Sequence, residues 1–397
     1  MIFQYYPVGQ GYFFCGKLGE GAHEKQLVID CGSSFESAYL QDAVKRYKSA
    51  NTKKHIDTLI LSQLEYDRVS GLHELLEDFT CDEIILPYLD SRERLLILIN
   101  HLWKYMCCPE DDRFNDFLAS PHSYILKICP SVKKITYLYQ NTEVTSAKEL
   151  EESSIGLLPE WQSILEKFPQ ITFKKGNGCI SLHNNWLIHL NYHLTPYFHS
   201  DAVREYVLKE YQLDIRTFEF TESQLLDTLY QEEKRKMFKN WFDRPKLNIN
   251  SSGISIWLQP QGVTAIALVK SFRSLAFPAL KSYIHNTETN HFGLTKNAIL
   301  ISGDCGIAQL FSCDFLLKKQ HEVAVFQVPH HGSSTGWDAK ILEGFDAGHK
   351  ATALLNFGFG NTLGHPNATV LLDLLSSKME LREVSQFVGV EILYEMV

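Results

Sequence analysis

Short apolar runs, each cut off by a glycine or another turn residue, recur in the first part of this chain: Ile2 to Val8, Tyr12 to Cys15, Gln26 to Ile29, Thr58 to Ser62 and Glu83 to Pro87. Runs this short cannot bury a helix face and read as strands. Between them, Ser34 to Lys48 and Val69 to Phe79 carry helical spacing, with turns at Gly9, Gly11, Gly32 and Gly71. Strands alternating with helices can bury their apolar faces only in layers, so the expected class is α/β, a layered sandwich. The texture returns after Pro245 at Ile254 to Leu258, Val263 to Val269, Ala298 to Ser302, Val323 to Val328 and Ala351 to Asn356, with a last strand near Gln386 to Leu393.

The stretch between these halves reads differently. Arg92 to Met106 and Trp161 to Phe168 are long, mixed apolar and charged segments that look helical. Strands resume at Gly178 to His183 and Trp186 to Leu190, before a second helical block from about 200 to 243. The expected organisation is therefore residues 1–89 as the first half of a sandwich, 90–244 as a largely helical insertion with core strands at about 171–190, and 245–397 as the second half. Two β-rich halves separated by helices suit a pseudo-twofold arrangement.

At 397 residues, 45% hydrophobic and 21% charged, the chain has the make-up of a globular protein, which excludes disorder, fibres and coiled coils as the main state. The 38 basic residues against 47 acidic ones leave −9, so a nucleic acid would have to be met by a local basic patch. Lys234-Arg235-Lys236, Lys239, Arg244 and Lys246, interleaved with Phe238, Trp241 and Phe242, offer one; a solvated amphipathic helix reads the same way, as does Lys45 to Lys54. Nine scattered cysteines without C-x-x-C spacing imply neither a disulfide framework nor a cysteine zinc site. With no signal-peptide pattern at Met1 to Tyr6 and no run of about 18 apolar residues, a cytoplasmic protein with free thiols and no membrane partner is expected.

Four segments place polar residues directly after expected strands: Gln63-Leu64-Glu65-Tyr66-Asp67-Arg68, Gly303-Asp304, Pro329-His330-His331-Gly332-Ser333 and Gly364-His365-Pro366. Strand ends feeding loops are where α/β scaffolds hold ligands. Carboxylates with imidazoles are the donors that Zn²⁺ and Mn²⁺ accept, and a metal-bound water loses a proton near neutrality to become a nucleophile.

At these residues the chain resembles the metallo-β-lactamase superfamily, and within it the soluble hydrolase domain of ComEC-type DNA-internalisation competence proteins. Val8-Gly9-Gln10-Gly11 followed by Val28-Ile29-Asp30-Cys31-Gly32 is similar to that family's opening hairpin, with Pro7 where an Asp is usual. Leu59 to Leu72 resembles the strand, metal loop and helix start that normally reads H-x-[HD]-x-D-H followed by Gly-Gly-Leu. Asn250-Ser251-Ser252, Leu300 to Asp304, Val328 to Ser334 and Gly364-His365-Pro366 complete the series, so that the resemblance covers about 1–85 and 245–397. It implies a four-layer αββα sandwich and a metal-dependent hydrolase of the nuclease or phosphodiesterase kind, acting on nucleic acid or nucleotide phosphodiesters.

The family's roles, carried over by position, make Asp304 the bridging carboxylate, His330 the late imidazole ligand, Asp67 a ligand of the second metal and Glu65 a neighbour of the first. His331 joins Asp67, Asp304 and Arg68 among the catalytic residues, and His365 and Ser333 bind substrate. The first metal loop departs from the pattern: Gln63 replaces the first His, Glu65 stands at the second ligand position, and Arg68 replaces the last His. A guanidinium stays protonated and cannot ligate a cation. Glu65, Asp67 and Asp304 facing Arg68 alone leave two negative charges uncompensated, so either one divalent metal, Zn or Mn, remains or the acids take up protons.

Two arrangements stay open. In one, a single cation survives on Asp67, Asp304 and His330, with or without Glu65, and activates water while Arg68 clamps a phosphate. Alternatively, Arg68 fills the vacated position against Asp67 or Asp304, no metal binds, and the chain is a degenerate scaffold or sensor subunit of a bacterial DNA-handling or defence complex with a protein partner. Blander readings stand beside these: Asp304 as the cap of a helix near Ile307, His365 as a turn residue, Cys305 as core, and Glu65 and Gln63 as solvated loop polars. His189, His193 and His199 form a second histidine set, but Trp186-Leu187-Ile188 and Leu190 beside them favour a strand with satisfied histidines.

Overall fold

The computed structural model describes residues 1–19, 21–89, 93–94, 97, 101, 112–139, 159–183, 186–193, 253–260, 265–273, 290–291, 297–345 and 351–396. The second helical block, the basic and aromatic stretch 234–246, Asn250 to Ser252, His199 and most of Arg92 to Met106 lie outside these residues. In chain order the strands are β1 (Ile2–Tyr5), β2 (Gly11–Leu18), β3 (Lys25–Ser33), β4 (His55–Ile60), β5 (Thr80–Pro87), β6 (Lys134–Tyr139), β7 (Ile171–Lys175), β8 (Asn177–His183) and β9 (Trp186–His193). They continue with β10 (Gly253–Pro260), β11 (Ala265–Arg273), β12 (Asn290–His291), β13 (Ala298–Ile301), β14 (Val323–Gln327), β15 (Thr352–Asn356), β16 (Glu380–Val384) and β17 (Val388–Met396).

One sheet runs β12-β11-β17-β1-β2-β3-β4-β5-β6-β7 and the other β16-β15-β14-β13-β10-β9-β8. Each joins an antiparallel part to a parallel one: β3 to β7 are parallel in the first, β13 to β16 in the second. The inner parallel strands of the second sheet are covered on both faces, which requires apolar side chains on both. Thus β13, β14 and β15 are buried along their whole length.

Side chains alternate between two environments along each strand. Ile29, Ile60 and Ile85 of the first sheet meet Ile188, Ile254, Ile301 and Leu354 of the second in one apolar cluster. Their neighbours Val28, Leu59 and Ile84 turn the other way, onto Leu40, Val44 and Tyr47 of the helix Ser37–Ala50 and onto Leu72, Leu75 and Leu76. In the second sheet Leu300, Phe326 and Leu355 join Leu310, Leu316, Val370 and Leu374 from helices. Each such side chain, fully buried, contributes about 1.5–3 kcal/mol.

Every strand expected within the described residues forms, with ends shifted by a few positions. Two differences stand out. The segment 90–168, expected to be helical, contains the helices Asp112–Ala119, Pro121–Ile128 and Pro159–Lys167 but also β6, which extends the first sheet in parallel beside β5. Its Ile135, Thr136, Tyr137 and Leu138 are all buried, so there is no apolar and polar alternation to betray it. The helix expected over Val69 to Phe79 is instead two short helices, Tyr66–Val69 and Leu72–Leu76. They break at Gly71, whose N–H donates to Cys31 O at 2.9 Å, where an added Cβ would lie 2.8 Å from Cys31 Sγ.

The carboxyl ends of β4, β13, β14 and β15 feed the four polar segments, the end of a parallel sheet where ligands are held. Among the described residues no helix is long and apolar enough to cross a membrane.

Candidate functional site

Past the end of β4, buried Ser62 donates to Asp30 through its N–H (2.6 Å) and its hydroxyl (2.5 Å). Burial pushes the Asp30 carboxyl up to about 7, although Arg68 and the two Ser62 bonds pull the other way. Glu65 then opens the short helix Tyr66–Val69, which carries Asp67 and Arg68. That helix lies directly on β3, because Gly32 has no side chain: a Cβ there would come within 2.5 Å of the Arg68 carbonyl carbon. Tyr12 is the register partner of Gly32 on β2, and its ring lies under the Arg68 guanidinium, 4.3 Å from ring centre to guanidinium carbon.

Arg68 is fully buried and occupies the middle of the site. Its Nε donates to Gln63 Oε1 at 3.2 Å. Its Nη2 donates to Asp304 Oδ1 and lies 3.9 Å from Asp67 Oδ2 and 3.5 Å from His331 Nε2. Burial disfavours its charge, but Asp304, Asp67 and Asp30 outweigh that and hold its pKa above the ordinary value. Burial likewise opposes ionisation of Asp304, and Arg68 foremost, with the His330 and His331 imidazoles, keeps that carboxyl below its usual range. Glu65 goes the opposite way: burial, then the charges of Asp304 and Asp67, push it up to about 8. One Glu65 oxygen, Oε2, is buried with no hydrogen-bond partner. With Glu65 holding its proton at neutral pH, Arg68 has one carboxylate charge fewer to balance.

Asp304 comes from the turn after β13. The buried Gln327 Oε1 accepts the Ser302 and Gly303 N–H groups (2.9 and 3.0 Å) and the Ser302 hydroxyl (2.7 Å), fixing that turn. Asp304 caps no helix; Gly306 is the N-cap of the helix Ile307–Leu310. After β14 the backbone turns left-handed at His330 (φ 49°), His331 (φ 53°) and Gly332 (φ 78°), a conformation that costs a non-glycine residue about 1–2 kcal/mol. It aims the buried His331 inward. The Nδ1 of His331 faces Asn356 Oδ1 at 2.9 Å and Asn356 O at 3.1 Å, so Nδ1 donates there, while Nε2 lies 3.1 Å from Asp67 Oδ2.

The imidazole that joins Asp67 and Asp304 is therefore His331: ligand atoms of these three lie within 4.8 Å of one another. His330, expected as the ligand, is outside that group, because the left-handed turn sends consecutive side chains in different directions. It is half-exposed and faces His365, ring centres 5.4 Å apart. Asn361 holds the His365 loop, its Nδ2 donating to Gly358 O (2.7 Å) and His365 O (2.6 Å). Ser333, expected to bind substrate, is buried and its hydroxyl accepts the Thr335 N–H at 3.2 Å. Gln63 is buried in contact with Arg68 and is no solvated loop residue, and Glu65 is half-buried. Cys305 is core.

Tyr12, Asn356 and Gln327 complete the site and are not among the expected site residues, since each lies inside or at the end of an apolar run. Asn356, the polar residue closing the run Ala351 to Asn356, was the one open to detection. Of the second histidine set, His189 and His193 lie on β9: His193 Nε2 is 2.9 Å from Asn191 Nδ2 and 3.3 Å from Ser255 Oγ, and His189 stacks on Phe315 at 4.1 Å. A further group, His55, Asp57 and Asp82, lies at the opposite ends of β4 and β5, where Lys25 and Lys133 each approach an aspartate at 2.7 Å.

Asp67, Asp304 and His331 have the chemistry of a divalent-cation site. The donor set nevertheless does not fit a metal, because a buried cation of the chain's own lies bonded among them.

No protein-family model matches the chain, and no curated protein matches it. Among solved structures it is similar to the metallo-beta-lactamase fold protein YhfI from Bacillus subtilis, at 8% identity and a TM-score of 0.34, over 98% of this chain and 99% of that one. It is also similar to ST1585, an archaeal metallo-beta-lactamase superfamily protein from Sulfolobus tokodaii, at 14% identity and a TM-score of 0.22, over 48% of this chain and 55% of that one. Scores this low leave the reading of the site to the chain's own residues.

Proposed function

We propose that this chain is a catalytically silent member of the metallo-β-lactamase kind, a four-layer αββα sandwich whose halves, 1–89 and 245–397, flank the segment 90–244. It serves as a cytoplasmic scaffold or sensor subunit beside an enzyme in a bacterial DNA-handling or defence complex. One observation carries the silent reading: the buried Arg68 guanidinium bonds Asp304 and stands 3.5 Å from His331 Nε2 and 3.9 Å from Asp67, where a hydrolytic cation would need those same donors. The competence-type resemblance of the motifs supports the setting. The layering is supported by the three apolar clusters, one drawing on both sheets and two on one sheet with its helices.

A metal-dependent phosphodiesterase is the second reading, favoured by the convergence of Asp67, Asp304 and His331 and by His330 and His365 facing one another beside it. Metal analysis of the purified chain with a phosphodiester hydrolysis assay separates the two. The silent reading expects no stoichiometric Zn or Mn and no turnover with either ion. Metal near one per chain, with hydrolysis that Asp304→Asn abolishes, would overturn it.

A further inference from the structure

We infer that Arg68 is a structural clasp between the two sheets, a resident cation that the paired acids require for folding. The inference deepens the silent reading and rests on it.

The guanidinium draws its contacts from five places in the chain. Tyr12 on β2, Gln63 after β4 and Asp67 belong to the first sheet and its loops; Asp304 after β13 and His331 after β14 belong to the second. Among the described residues, no other fully buried residue on this rim carries a full positive charge that does not depend on protonation near neutrality. Two of its nitrogens are engaged, while Nη1 is buried with no hydrogen-bond partner. Hydrogen bonds therefore meet only part of the cost of removing the guanidinium from water, and the charges of Asp304 and Asp67 must supply the rest. The dependence is mutual, because Asp304 is buried and no other cationic side chain bonds it among the described residues. The clasp is also held from behind. The contact of Gly32 with the Arg68 backbone leaves that backbone no room to retreat toward β3.

The test uses the full chain and its variants Arg68→Met, Arg68→Lys, Asp304→Asn and Arg68→Met with Asp304→Asn, with thermal unfolding as readout and Zn²⁺ as a probe for the missing charge. Arg68→Met should lower the midpoint by roughly 5 to 10 °C, since it leaves a buried charge unpaired. The double variant should lose less than the two single losses added together, because the acid that needs the cation has gone. Zn²⁺ should restore most of the loss in Arg68→Met and leave the wild type, Arg68→Lys and the double variant unmoved; repeating the titration with His55→Ala removes the second His and Asp group as a binder. An Arg68→Met chain that melts with the wild type, additive losses in the double variant, or no response of Arg68→Met to Zn²⁺ would each overturn the clasp. Should Arg68→Met fail to fold, recovery of folding in the double variant decides, and no recovery counts against it. Metal content and turnover of the wild type test the silent reading separately, so failure of the clasp and failure of that reading are told apart.

Discussion

Asp30 shows what a single buried carboxyl does to this molecule. Its pKa, raised from 3.8 to about 7, means that the folded chain keeps a proton which the unfolded chain gives up first as pH rises. The stabilisation from this group is therefore complete below about pH 4 and is lost as pH climbs to about 7, a change on the order of 4 kcal/mol. Asp30→Asn lacks this component. Urea melts of the two chains from pH 4 to pH 8 should show the variant gaining on the wild type through that window; a constant difference would mean that Asp30 titrates alike in both states. Legibility was uneven at this scale. Asp67, Asp304 and His331 stood out as polar residues after apolar runs, and the structure brings them together. Which of the two adjacent histidines points inward was not readable, because it depends on a left-handed backbone that side-chain chemistry does not announce.

At the scale of elements, the close passage of the helix Tyr66–Val69 over β3 governs the site. Gly32→Ala places a methyl within 2.5 to 2.7 Å of the Arg68 and Val69 backbone, so that the helix must shift. The expected loss is about 2–3 kcal/mol by chemical denaturation, as for other overpacked sites. Retention of wild-type stability would show that the helix moves freely there. Strands with apolar runs bounded by turns were legible, and β13, β14 and β15 formed where expected. β6 and β16 were not. The first is buried on both sides with no period to count; the second, Glu-Leu-Arg-Glu-Val, is an edge strand whose charged residues are suited to that position.

For the molecule as a whole, the cluster shared by the sheets should dominate stability. Phe14 is fully buried there against Tyr5 and Phe3, with ring centres 4.5 and 5.7 Å away. Phe14→Ala should cost about 3–5 kcal/mol. Leu372 and Leu375, 63% and 62% exposed, are the contrast. Changing either to Glu should alter stability by no more than about 0.5 kcal/mol, and a large loss in a calorimetric scan would mean that the exposed leucines are covered in solution. The two-sheet plan was foreseeable from the recurrence of strand-sized runs at both ends of the chain. The contribution of β6 to the first sheet was not, because charged and apolar residues mixed over a long segment imitate a helix.

The left-handed triplet His330-His331-Gly332 has a mechanical meaning. Two histidines are wound against their preference, and His331 is held so by Asn356 at one nitrogen and by Asp67 and Arg68 at the other. Such a turn is a cocked spring with a catch at each ring nitrogen: Asn356 holds one and Asp67 the other, so the imidazole stays trained on the acids even when the cation between them is exchanged.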